Sequence, residues 1–95
     1  VIQLCEIIKS GGVQIEGIGT ETLKIFGTSG ELLNIDEVKV IPDRIEAGTY
    51  LCAGAITKSK LTVSSVQPKH LTTILDKFRE MGFKLQIEEN RITIF

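Results

Sequence analysis

The 95-residue sequence predicts a mixed α/β chain of the α+β type. A complete β-α-β-α-β-β unit is expected over residues 31–95, preceded over residues 1–30 by a helix and hairpin, the α-β-β tail of an earlier unit. Three observations predict this. Apolar residues change period along the chain, from the face of a helix to the alternation of a strand and back. Gly and Pro mark the changes. The chain also echoes itself at a spacing of about 70 residues, the mark of a repeated supersecondary unit. Gly12 matches Gly82, Ile15 matches Leu85, and Leu23-Lys24-Ile25-Phe26 matches Ile92-Thr93-Ile94-Phe95.

Each element has a local reason. Val1, Leu4, Cys5 and Ile8 fall on one face of a helix that stops at Gly11-Gly12. Val13-Gln14-Ile15 alternates as a strand, Gly17-Ile18-Gly19-Thr20 turns, and residues 23–26 return, giving a hairpin. After the loop Gly27-Thr28-Ser29-Gly30, a β-branched run at residues 38–41 reads as a short strand. Pro42 disfavours helix at Ile41, Asp43 can accept bonds from free amide groups, and Glu46 stands three residues on, as in a capping box. A helix over residues 44–56 follows, rich in small residues, in which Gly48 and Ala53 are expected to permit close approach of its neighbours. Residues 61–63 make another strand, and Pro68 opens a helix with Leu71, Ile74, Leu75, Phe78 and Met81 on its apolar face before Gly82 ends it. Phe83, Leu85 and Ile87 alternate, Glu89-Asn90 turns, and residues 92–95 close the sheet.

Composition narrows the function classes. Ninety-five residues suffice for one small domain with a thin stability margin. Eleven basic and twelve acidic residues balance to a net charge of −1 with no basic stripe, which argues against a nucleic-acid or membrane surface. No apolar run approaches the roughly 20 residues of a membrane-spanning helix, and the amino end carries no signal-peptide pattern. Cys5 and Cys52 stand among apolar neighbours on expected helices, which suits buried reduced thiols and a cytoplasmic setting. The chain opens in helical rhythm without an initiator Met and ends on a strand-like run, so it is expected to be a piece of a longer chain.

Chemistry-bearing residues are few. Glu6, Glu16, Glu21 and Glu31 are scattered, with no spacing that pairs carboxylates or binds a metal, and no cofactor motif stands out. Gly17-Ile18-Gly19-Thr20 resembles half of a phosphate loop, but no helix follows to supply amide donors, so it reads as a turn. His70 falls in the first turn after Pro68, on the expected solvent face. Asp43, Arg44 and Glu46 are the candidate cleft-lining residues; the plainer reading of the same three is a capped helix start.

The run from Ile41 to Thr49, continuing into Tyr50-Leu51-Cys52-Ala53-Gly54-Ala55-Ile56, resembles the segment after the interdomain connection of enolpyruvyl transferases, in the branch acting on UDP-N-acetylglucosamine. The resemblance spans essentially the whole chain, through Gly12 to Gly17, Gly19-Thr20, Gln67-Pro68 and Met81-Gly82. It implies β-α-β-α-β-β units, three to each of two domains, with helices inside and sheets outside. It places the interdomain connection near residues 41–43 and implies transfer of enolpyruvyl from phosphoenolpyruvate to the 3′-hydroxyl of UDP-N-acetylglucosamine, the first committed step of peptidoglycan synthesis. That chemistry is addition and elimination through a tetrahedral intermediate, needing a proton donor, cations for phosphate and carboxylate, and a base at the sugar hydroxyl. The family's proton donor is a loop Cys, and neither that loop nor the family's cation motifs match this sequence; Cys52 lacks the following Arg. The chain alone is therefore expected to be inactive, with the two substrates and the rest of the parent chain as its partners. Two alternatives stand beside this reading. One is a free-standing β-α-β-α-β-β binding module resembling small RNA-binding domains, which would show a basic sheet face and exposed aromatics; here the four Phe and one Tyr fall mostly at core-like positions. The other is the shikimate-pathway synthase branch, disfavoured by Arg44-Ile45-Glu46-Ala47-Gly48.

Overall fold

A computed structural model describes residues 1–95 and contains three α-helices and two small antiparallel sheets, the expected mixed α/β class. The chain divides into two compact units, Val1–Ile41 and Pro42–Phe95, each with its own apolar cluster.

In the first unit, helix α1 (Ile2–Ser10) is followed by β1 (Ile15–Glu16) and β2 (Lys24–Ile25), paired antiparallel with Ile15 opposite Ile25 and Glu16 opposite Lys24. Cys5, Val13 and Ile15 form the buried cluster, with Ile8 and Ile18 packed on it. The apolar face expected for α1 is narrower than the sequence pattern: Val1 and Leu4 are exposed and Cys5 alone is fully buried. The Gly11 and Gly12 amides close the helix by donating to the Ile8 and Lys9 carbonyls at 3.1 and 3.0 Å.

Residues 27–41 contain no helix or strand, so the strand expected at residues 38–41 is not formed. β-branched composition marks a segment that can extend, but a strand needs a ladder partner. Within this unit the Lys39 carbonyl is instead taken by the Gln3 side-chain amide at 3.0 Å, and β1 and β2 pair with each other.

The second unit runs α2 (Arg44–Ile56), β3 (Leu61–Ser64), a single 3₁₀ turn (Pro68–His70), α3 (Thr72–Glu80), β4 (Leu85–Ile87) and β5 (Arg91–Ile94). The sheet order is β3-β5-β4, with β5 antiparallel to both neighbours: Leu61 and Leu85 face Ile94 from opposite sides, as Val63 and Ile87 face Ile92. Helices α2 and α3 supply Ala47, Leu51, Leu75 and Phe78 to a core completed by Val66, Leu71, Ile92 and Ile94. Phe78 meets the Phe83 ring edge-on, centroids 5.9 Å apart.

Pro68 opens the 3₁₀ turn rather than α3 itself, because Leu71 leaves helical geometry to enter the core before Thr72 restarts the helix. Met81, expected on the apolar face, is the residue after the helix and is 69% exposed. The aromatics are less buried than their sequence positions imply. Phe78 is buried and Phe83 half-buried, while Phe26, Tyr50 and Phe95 are exposed. Lys24 and Lys60 lie over the rings of Phe26 and Phe95, 4.9 and 5.0 Å from their centroids.

The internal echo extends to register. The Ile15–Ile25 pair of the first hairpin corresponds, position for position, to the Leu85–Ile94 pair of the second. Gly12 and Gly82 both take left-handed backbone, φ 103° and 91°, at the helix-to-strand corner, a conformation that glycine adopts without steric cost.

Candidate functional site at the start of helix α2

Asp43 is extended (φ −76°, ψ 106°), and its Oδ1 accepts from the backbone N–H of Ile45 at 2.8 Å and of Glu46 at 3.3 Å. The cap read from the sequence is therefore formed. It is one-sided, since the Glu46 carboxylate returns no bond to the Asp43 amide and remains free to point elsewhere. An acidic side chain in the first turn is nonetheless favourable toward the positive end of the helix dipole.

Asp43 and Glu46 line an open groove of about 470 Å³ with Pro42, Ala47 and Tyr50; its other wall is the stretch from Leu61 to Val66. Tyr50, Thr62, Ser64 and Ser65 are its other polar residues in a lining that is otherwise apolar, and the Thr62 hydroxyl is bonded across the sheet to that of Thr93 at 2.8 Å. Ser65 takes left-handed backbone (φ 56°), turning the chain out of β3 so that Val66 can donate to the Asn90 carbonyl at 3.1 Å. Arg44 does not line this groove. It borders, with Asp43, a narrow crevice too small for a water molecule, beside Gln67, His70 and Leu71. The structure thus brings Asp43 and Glu46 together and sends Arg44 to the other side of the helix start.

All three candidates are exposed, and none takes part in the unit's ion pairs, which join Lys77 to Glu80, Arg79 to Asp76 and Arg91 to Glu88. The two carboxylates suit a cation or sugar-like hydroxyl groups. No Lys or Arg lines the groove, so it offers no charge for a phosphate. No group of three or more His, Cys, Asp or Glu side chains is placed to hold a metal.

The remaining sequence candidates resolve individually. Cys5 is buried, but Cys52, expected to be buried, is exposed on the side of α2 turned away from the sheet, because Leu51 and Gly54 occupy the sheet-facing positions. Both thiols are free. His70 is half-buried beside Arg44 and Gln67 rather than on a solvent face. Gly17 to Thr20 is a hairpin turn: the Thr20 hydroxyl bonds the Gly17 and Thr22 carbonyls at 2.7 and 2.9 Å, and a Cβ at Gly17 would collide with the Thr22 carbonyl oxygen. Sequence reasoning missed the β3 wall of the groove. Its only sequence signal was the hydroxyl run Thr62, Ser64, Ser65, which also reads as an ordinary exposed strand end.

Residues 1–95 match the family described as EPSP synthase (3-phosphoshikimate 1-carboxyvinyltransferase). The chain is 58% identical over 94 residues to a UDP-N-acetylglucosamine 1-carboxyvinyltransferase of Campylobacter hominis. It is 61% identical over 94 residues to that of Sulfurimonas denitrificans and 53% over 95 to that of Helicobacter pylori. These alignments take in 99–100% of this chain and 22% of each relative, so the chain spans about a fifth of the length of the curated relatives it matches. With helix-and-hairpin units in its fold and the match running from the first residue to the last, the chain belongs to the EPSP synthase family.

Proposed function

We propose that the chain is part of an enzyme that transfers enolpyruvyl from phosphoenolpyruvate to the 3′-hydroxyl of UDP-N-acetylglucosamine in the bacterial cytoplasm, the first committed step of peptidoglycan synthesis. The observation that carries this is identity of 53–61%, over essentially the whole chain, to proteins bearing that transferase name. No helix is long and apolar enough to cross a membrane.

Within that enzyme the 95 residues contribute scaffold and one wall of a cleft. The groove has no cation to hold a phosphate and no thiol to protonate an enol carbon. Each such group is worth orders of magnitude in rate, so the chain alone is inactive. Asp43 serves the cleft with its charge as well as capping α2, orienting a cation supplied by another part of the parent chain; Glu46 faces the same groove.

The test is phosphate release from phosphoenolpyruvate, dependent on UDP-N-acetylglucosamine, by the full-length protein and by the 95-residue chain. Activity of the former and none of the latter is expected. Inactivity of a folded full-length protein would overturn the assignment, and turnover by the short chain would overturn the scaffold role. In the full-length protein, Asp43→Asn keeps a capping side chain and removes the charge. It is expected to leave stability within about 1 kcal/mol and to lower turnover at least roughly tenfold, about 1.4 kcal/mol of barrier. Wild-type turnover would reduce Asp43 to a cap.

A further inference from the structure

We draw no further inference here: the strongest candidate, the outward apolar face of α2 formed by Ile45, Thr49, Cys52 and Ile56, is unpartnered, and nothing in the structure shows what covers it beyond the inward helix packing that the family resemblance already implies.

Discussion

Two glycines in α2 are expected to respond in opposite directions to the same substitution. Gly→Ala in a helix interior gains about 1 kcal/mol of propensity at either position, so the neighbours decide the sign. At Gly48 an added methyl would lie 3.2 Å from Ile74 Cδ1 and 3.9 Å from Leu71 Cδ2, the far ends of flexible side chains that can yield. At Gly54 it would lie 2.9 Å from Leu61 Cβ and 3.0 Å from Ile94 Cγ2. Carbon atoms rest at about 3.5–4.0 Å, so a shift of roughly 0.5–1 Å is needed. Leu61 and Ile94 are directly paired across β3 and β5, so neither yields without disturbing the ladder. Overpacking of this kind costs about 1–3 kcal/mol. Gly48→Ala is therefore expected to stabilise by up to about 1 kcal/mol, and Gly54→Ala to fall roughly 1–3 kcal/mol below it. At about 4–8 °C per kcal/mol for a chain of this size, thermal unfolding by circular dichroism resolves the difference, and urea titration at unchanged slope confirms it as stability. Gly54→Ala proving as stable as Gly48→Ala would refute the argument that the ladder fixes the helix.

Further outcomes follow from the same contacts. Ala53→Leu, at a position the sequence pattern assigns to close packing but which is exposed, should move the urea midpoint by less than about 0.5 kcal/mol equivalent; a loss of 1 kcal/mol or more would mean the site is covered. Leu51→Ala, at 0% exposure in the core of the second unit, should cost about 2–5 kcal/mol, read as a collapsed or absent unfolding transition. Asp43→Ala should cost about 1 kcal/mol by removing the cap while Asp43→Asn is nearly silent, and equal losses for both would show that charge rather than capping holds the helix start. Glu80→Gln, which removes an exposed partner of Lys77, should change stability by less than about 0.5 kcal/mol, checked by denaturation at low and high salt.

What was legible in the sequence followed from local rules. The Pro42-Asp43 junction, the hairpins at Gly17 and Asn90, and the helix over residues 44–56 all depend on residues close to one another along the chain. The echo between the two helix-hairpin segments was legible too, with Ile15 and Ile25 matched to Leu85 and Ile94. What failed needed knowledge of distant partners. The run at residues 38–41 has strand composition but no ladder partner in its unit, and Cys52 and Ala53 are as apolar as their buried neighbours yet fall on the outer side of α2. In a helix with no charged residue after Glu46, the sequence gives no polar face by which to tell inside from outside. The candidate site was half visible for the same reason: the helix cap is local, but the β3 wall opposite it is a tertiary juxtaposition.

The missing methyl at Gly54 also has a mechanical meaning. Helix α2 is a stiff rod, and at about 1.5 Å of rise per residue its capped end lies roughly 16 Å from that glycine. The helix is seated against the β3–β5 ladder at Gly54, is packed through Ala47 and Gly48 nearer its start, and carries Asp43 and Glu46 there. A shift forced at Gly54 is passed along the rod to the end that carries Asp43, across the groove from Ser64 and Ser65. The shape of a groove that Gly54 does not line thus depends in part on the absence of a side chain further along the same rod.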